Sequence, residues 1–324
     1  LTRAEFVQGI LAGDRIVLAR AITLIESLRA ADRELAEEII EECLPHSGRS
    51  IRVGITGVPG AGKSSVIEAL GVSLILEHGE RVAVLAVDPS SQVSGGSILG
   101  DKTRMTTLAA SDRAFIRPSP SRGVAGGVAQ RTREAMLLCE AAGYGVILVE
   151  TVGVGQSEIA VHGMVDFFVL VLLAGAGDEL QGIKRGVMEM ADLVAINKAD
   201  GANLTAAEKA RGEAENALHF FPPPASGWTP RAIACSARTG KGIQALWKCV
   251  REHSALTRAN GWLARSRREQ TRQWMQEIIE LGLRRRFEEH PAIRARMAAL
   301  EQDVVEGRVT SFRAARELLE LFTR

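Results

Sequence analysis

The chain has no CxxC pair. Its four cysteines, Cys43, Cys139, Cys235 and Cys249, are far apart, which argues against a zinc knuckle or a disulfide framework and leaves reduced, buried thiols as the expectation. It also has no excess of charge: 40 Lys+Arg against 39 Asp+Glu give a formal net charge of +1, so nothing general draws it to nucleic acid or to an anionic membrane. The arginine clusters Arg265, Arg267, Arg268 and Arg284 to Arg286 are interleaved with glutamates on predicted helices and read as solvated or dimer-facing surface. No apolar run is long enough to span a bilayer, and no basic-then-apolar signal segment precedes the first helix. The expected location is cytoplasmic, or the mitochondrial matrix if a presequence has been removed, with neither nucleic acid nor membrane as partner.

Three regions follow from periodicity. Residues 1–48 carry apolar residues at helical spacing and form an N-terminal helical extension. Residues 49–255 alternate β-rich runs with helical ones: Arg52 to Thr56, Arg81 to Val87, Gly145 to Glu150, Phe167 to Leu173, Leu193 to Asn197 and Arg231 to Ser236. That alternation predicts an α/β fold, a doubly wound and largely parallel sheet covered by helices on both faces. Residues 256–324 lack β signals and are predicted as a C-terminal helical extension of the kind that packs on a core or builds a dimer.

Gly57-Val58-Pro59-Gly60-Ala61-Gly62-Lys63-Ser64 fills every fixed position of GxxxxGK[ST], between a predicted strand and a predicted helix. Glycines let backbone N–H groups approach phosphate oxygens, Lys63 reaches the β and γ phosphates, and the Ser64 hydroxyl can ligate Mg²⁺. The helix N-terminus adds a partial positive charge. This makes the core a P-loop NTPase and a nucleoside triphosphate the first ligand to consider.

Two later strand ends choose the base. Asn197-Lys198-Ala199-Asp200 matches NKxD, in which the Asp carboxylate accepts from guanine N1–H and the 2-amino group. Adenine lacks both donors, and a site built around them rejects it because a buried acceptor stays unpaired. Ser236-Ala237-Arg238 matches SA[KR], which brings a backbone N–H to guanine O6. With three motifs in order at strand ends, GTP is favoured over ATP.

Acids follow two other strands, Asp88 and Glu150, where carboxylates can hold Mg²⁺ directly or through its waters; the sequence leaves open which. Gly95 to Lys102 is a glycine-rich segment with Asp101 near its end, predicted as a switch and followed by a helix containing Arg104 and Met105. No Gln directly follows Gly153, as it would in Ras-like proteins, and Gln156 comes three residues later, so slow intrinsic turnover is expected unless a partner completes the site. Gly175 to Gly186, with Asp178, Glu179, Lys184 and Arg185, is read as a charged loop that reports nucleotide state to a partner.

The combination VGITGVPGAGKS, AVDPSS, GGSILGDKTRM, FIRPSPS, LLCEAAGY, ILVETVGVGQSE, GAGDELQGIK, NKAD and CSAR resembles the methylmalonyl-CoA mutase-associated GTPases, MeaB-type or ArgK-type, of the SIMIBI class. The resemblance implies a homodimeric GTPase, a metallochaperone that gates adenosylcobalamin delivery to methylmalonyl-CoA mutase and protects that enzyme. By position it implies that Gly57 to Ser65 (Gly57, Val58, Pro59, Gly60, Ala61, Gly62, Lys63, Ser64, Ser65) bind the phosphates of GTP or GDP. Asn197, Lys198, Asp200, Ser236, Ala237 and Arg238 would bind guanine, and Ser64, Asp88, Asp101 and Glu150 would surround Mg²⁺. Lys63, Asp88, Glu150 and Gln156 are the expected catalytic residues, and Asp178 and Lys184 fall in the segment that couples GTP to the mutase. Arg122, in Ser121-Arg122-Gly123, departs from the small polar residue expected there. The chain lacks the DxHxxG pattern by which mutases take up cobalamin, and it lacks the His-rich or CxxC stores of nickel-inserting relatives, so it is expected to escort a cofactor enzyme rather than hold the cofactor. The older ArgK name suggests an alternative, a kinase or ATPase acting on an amino-acid transport binding protein.

Overall fold

The structure is a computed structural model that describes residues 1–27, 29–87, 105–118, 125–151, 157–174 and 185–323. Its contacts divide the chain into two compact units, Leu1–Gln270 and Thr271–Arg324.

The first unit opens with three helices, α1 (Arg3–Leu11), α2 (Arg15–Glu26) and α3 (Ala30–Cys43). A capping box between Thr2 and Glu5 starts α1, and the Asp14 carboxylate accepts from the Ile16 and Val17 amides to start α2. Strands and helices then alternate: β1 (Ile51–Gly57), α4 (Lys63–His78), β2 (Val82–Val87), α5 (Thr106–Ala109), β3 (Ala114–Arg117), α6 (Ala125–Ala141), β4 (Val146–Thr151) and α7 (Ser157–His162). They continue with β5 (Phe167–Leu173), α8 (Arg185–Glu189), β6 (Leu193–Asn197), α9 (Leu204–Leu218), β7 (Arg231–Ala234), α10 (Ile243–Ala259) and the start of α11 (Trp262–Glu289).

Among the described residues, seven strands form one sheet in the order β3-β2-β4-β1-β5-β6-β7, every pair parallel. This is the doubly wound α/β fold expected from the alternation. One face packs Ile147, Val149 and Phe168 against Leu18, Ile22 and Ile39 of the N-terminal helices and Met136 and Leu138 of α6. The other packs Val53, Ile55, Leu148 and Val169 against Val66, Leu70 and Leu74 of α4 and Leu246 and Val250 of α10. Each such side chain contributes roughly 1.5–3 kcal/mol by leaving water, so the sheet is held from both sides.

Three features differ from expectation. Strand β3 was not anticipated: it is a four-residue edge strand, Ala-Phe-Ile-Arg, too short for a period and followed at once by Pro118. Met105 does not belong to a helix; it is the N-cap of α5 with φ −118 and ψ 56, its side chain buried in the α4 core. Arg104 lies outside the described residues. Arg267, expected on a solvated or dimer-facing surface, is an internal pin. Its Nε and Nη2 donate to the Asp166 carboxylate at 2.8 and 2.6 Å, and Nη1 and Nη2 donate to the Gly48 and Ser50 carbonyls at 2.6 and 2.7 Å. An arginine fork satisfies a carboxylate and two carbonyls at once, which explains its burial. Arg284, by contrast, is exposed and paired with Glu288 one turn on.

The second unit contains the rest of α11 with α12 (Pro291–Val305) and α13 (Ser311–Phe322). Ile293 and Leu300 pack on Ala314 and Leu318, and the Phe287 and Phe322 rings meet edge-on at 5.4 Å. Thr310 accepts from the Arg313 amide to cap α13. On α11, Met275, Ile278, Ile279 and Leu283 expose 55, 39, 51 and 53% of their surface. Their spacing puts them on one stripe of the helix.

Candidate nucleotide site

The site is built at the carboxyl end of the sheet, where β1 turns into α4. Gly57 ends β1 at φ 149, and a side chain there would drive into the Val171 carbonyl of β5. Gly62 is the N-cap of α4 at φ 85, where a Cβ would come within 2.6 Å of the Asn197 amide nitrogen. Glycine is therefore required at both ends of the loop by sterics, and Gly60, at φ 80, allows the tip to turn back. The Ala61 amide donates to the Val58 carbonyl at 3.2 Å, closing the turn. Lys63, Ser64 and Ser65 form the first turn of α4, whose N–H groups have no intrahelical acceptor.

Lys63 is buried and folds back over the loop, donating from Nζ to the Gly57 carbonyl at 2.9 Å and the Val58 carbonyl at 3.3 Å. The Ser64 hydroxyl donates to Glu150 Oε1 at 2.8 Å. Glu150 is the penultimate residue of β4 and is buried, opposite Ile55 in the β1 register. Thus the loop serine and the strand-end acid, 86 positions apart in sequence, meet directly.

The NKxD and SA[KR] motifs converge on the other side of the loop. Asn197 is buried at the end of β6; its amide nitrogen donates to the Ala61 carbonyl at 2.8 Å and its Oδ1 accepts from the Ala237 amide at 3.1 Å. Burial pushes the neighbouring Cys235 thiol up to about 12, so it remains an S–H group facing Asn197 Oδ1 at 3.9 Å. Lys198 is exposed, with φ 59, and among the described residues no other non-glycine has a positive φ. The Asn203 side-chain Nδ2 donates to the Lys198 carbonyl at 2.9 Å and steadies that conformation. Asp200 accepts from the Ser236 hydroxyl, and Arg238 Nη2 lies 3.3 Å from its other oxygen. The Ser236 oxygen also accepts from the Thr239 amide at 3.2 Å, so the turn holds the carboxylate from below.

Gly57 to Ser65, Glu150, Asn197, Lys198, Asp200 and Ser236 to Arg238 are therefore joined into one surface. Asp88, Asp101, Gln156, Asp178, Lys184 and Arg122 lie outside the described residues. Sequence reasoning missed two contributors. Asn203 could have been suspected from its place just after the Asp200-Gly201 turn. The threonine pair Thr56 and Thr151, bonded at 2.8 Å beside Gly57 and Glu150, carries no signal in either segment alone.

The residues present fit a magnesium-bound nucleotide. Two positions exclude any side chain and so keep the backbone bare, and the donor set of one hydroxyl and one carboxylate is all hard oxygen, as Mg²⁺ requires. Among the described residues no group of three or more His, Cys, Asp or Glu could hold a metal ion. No described helix is long and apolar enough to cross a membrane.

Comparison with known proteins agrees with this geometry. The family model described as methylmalonyl Co-A mutase-associated GTPase MeaB matches residues 18–292. GTPase ArgK of Escherichia coli (strain K12) is 50% identical over 279 residues, covering 86% of this chain and 84% of the relative. A Mus musculus protein named methylmalonic aciduria type A homolog, mitochondrial, is 47% identical over 324 residues, covering 97% and 78%. Among solved structures, a LAO/AO transport system kinase superposes with a TM-score of 0.78 at 37% identity, covering 99% of this chain and 98% of that one. The phosphate-loop, NKxD and SA[KR] motifs and these matches together make the chain a member of the MeaB family of methylmalonyl-CoA mutase-associated GTPases.

Proposed function

We propose that the protein binds GTP and GDP with Mg²⁺, hydrolyses GTP slowly on its own, and uses the nucleotide state to gate adenosylcobalamin loading and protection of methylmalonyl-CoA mutase. The observation that carries the nucleotide reading is the pair of hydrogen bonds made by the Asn197 side chain. One buried side chain ties the phosphate loop, through Ala61, to the Ser236–Arg238 turn that supports the Asp200 carboxylate. A triphosphate on the loop and a guanine at Asp200 are then read by one connected unit.

Gly57 to Ser65 would hold the phosphates, with Lys63 releasing its loop carbonyls to reach them. Asp200 would accept from guanine, and the Ala237 backbone would face its carbonyl. Ser64 and Glu150, with Asp88 and Asp101, would hold Mg²⁺, which when bound neutralises charge on the phosphates. Gln156 is the residue proposed to orient water. Its place three positions beyond Gly153 supports slow turnover unless a partner completes the arrangement.

The family's association with methylmalonyl-CoA mutase supports that enzyme as partner, with residues 175–186, including Asp178 and Lys184, as the coupling segment. The organisation proposed is an N-terminal helical extension over 1–48, a GTPase core over 49–255 and C-terminal helices from 256 that build a homodimer. The exposed Met275, Ile278, Ile279 and Leu283 stripe supports a second copy there. The proposed location is cytoplasmic, or the mitochondrial matrix in a eukaryote.

Calorimetric titration of the protein against the mutase of the same genome, with a GTP analogue and with GDP, tests this reading; absence of binding in both states would sink it. The name of the LAO/AO transport system kinase supports a second reading, phosphoryl transfer to a transport binding protein. Labelled γ-phosphate must then appear on protein and not solely as free phosphate.

A further inference from the structure

A hydrogen bond between Thr151 and Thr56 joins the ends of β4 and β1. Strands β1 and β4 run in parallel register until Ile55 stands opposite Glu150. Beyond that pair β1 leaves for the phosphate loop, while its last residue, Gly57, stays paired with Val171 of β5. At the point of separation Thr151 Oγ1 donates to Thr56 Oγ1 at 2.8 Å, and both residues are fully buried. The hydroxyl bond extends the contact of the two strands by one residue.

Side chains alternate across a strand. Glu150 and Ile55 therefore face α4, where Glu150 meets Ser64, and Thr151 and Thr56 face the α6 and α7 side. The two strand ends are held from both faces of the sheet: by Ser64 and Glu150 on one, by the threonine pair on the other. A shift between β1 and β4 would move Glu150 relative to Gly57 and Ser64 together. Valine has the shape of threonine but cannot make the bond, and it would leave the Thr56 hydroxyl buried without this donor.

We propose that Thr151, through Thr56, is a positioning residue that fixes the distance between the Glu150 carboxylate and the root of the phosphate loop. It touches neither phosphate nor metal; it sets where Glu150 stands when Mg²⁺ arrives. This rests on the proposed magnesium role of Glu150.

The experiment compares Thr151→Val, Thr151→Ser, Thr56→Val, the double Thr56→Val/Thr151→Val and Glu150→Gln in the full chain. For each, GTP hydrolysis is followed against Mg²⁺ concentration, GDP affinity is measured in EDTA, and thermal melting is recorded. Thr151→Val is expected to raise the Mg²⁺ needed for half-maximal hydrolysis about fivefold, the size of one intramolecular hydrogen bond. Mg²⁺-free GDP affinity should change by less than about twofold, because the loop and the guanine side do not depend on Glu150. Thr151→Ser should restore the Mg²⁺ dependence. Thr56→Val should reproduce the loss, and the double variant should be no worse than either single one.

The proposal is overturned if Thr151→Val keeps the original Mg²⁺ dependence while Glu150→Gln shifts it. It is also overturned if Thr151→Ser is as impaired as Thr151→Val, or if Mg²⁺-free GDP affinity falls in step. Should Thr151→Val not fold, Thr56→Val removes the same bond and decides in its place. If Glu150→Gln itself leaves the Mg²⁺ dependence untouched, the magnesium role of Glu150 fails first.

Discussion

Ser64 Oγ donates to Glu150 Oε1 at 2.8 Å, joining the last residue of the phosphate-loop motif to the acid at the end of β4. In the proposed function this hydroxyl and this carboxylate would both serve one Mg²⁺, directly or through its waters. Replacing Glu150 with Gln keeps the size and removes the charge. GTP hydrolysis should then need about tenfold more Mg²⁺, since a charge-assisted contact is worth roughly twice a neutral one, as measured by phosphate release over a magnesium titration. Unchanged magnesium dependence would contradict a role for Glu150 at the ion.

Lys63 now serves the Gly57 and Val58 carbonyls. Lys63→Ala should therefore leave folding near normal while GTP hydrolysis falls by about 10²–10³-fold, the usual cost of removing one charge-stabilising donor. Single-turnover hydrolysis together with thermal melting separates the two effects. Near-normal turnover would refute the phosphate-loop assignment.

Asp200 is held by Ser236 and flanked by Arg238. Asp200→Asn exchanges an acceptor for a group that can also donate, so GTP affinity should drop by about 10–100-fold, corresponding to 1.5–3 kcal/mol for a hydrogen bond to a charged group. Xanthosine triphosphate should improve as a substrate. Competition between the two nucleotides measures the change, and an unaltered preference would place the base elsewhere.

Half-buried Asp192 and buried His253, 3.9 Å apart, lie at the opposite end of the sheet from the loop and predict a pH effect on stability alone. Burial pushes the Asp192 carboxyl up to about 7 from an ordinary 3.8, against the Phe168 amide that lowers it. Burial brings His253 down to about 4 from 6.5, against Asp166. A raised acid stabilises fully below pH 3.8 and loses that contribution as pH rises through 7, whereas a depressed histidine loses stability as pH falls from 6.5 through 4. In the wild type the two slopes oppose each other. Asp192→Asn should expose a stability that rises with pH over the histidine window, and His253→Gln one that falls with pH over the aspartate window. Urea unfolding across pH 4–8 reads both slopes, and parallel curves for the two variants would contradict the opposed shifts of the two groups.

Much of this molecule is legible in one dimension. The long apolar runs of β1, β2, β4, β5 and β6 fix the parallel sheet because strands buried on both faces must be apolar throughout. Glycines at 57 and 62 announce the loop because no other residue fits beside Val171 and Asn197. Strand β3 was invisible, since four residues at a sheet edge carry no period. Asn197 was read as a base contact from its motif, and its burial between Ala61 and Ala237 depends on two segments that only the fold brings together. The same holds for Arg267 against Asp166 and for Thr56 against Thr151, each a pairing about one hundred positions apart. Local chemistry can be read from a motif, but long-range satisfaction of buried polar groups needs the coordinates.

The most direct test of the proposed function is calorimetric titration of the protein into the methylmalonyl-CoA mutase of the same genome, run in parallel with a non-hydrolysable GTP analogue and with GDP. The predicted result is binding whose affinity or enthalpy differs between the two nucleotides and whose difference disappears in Asp200→Asn. Absence of binding with either nucleotide, or identical binding with both and in the variant, would contradict a GTP-gated role at the mutase.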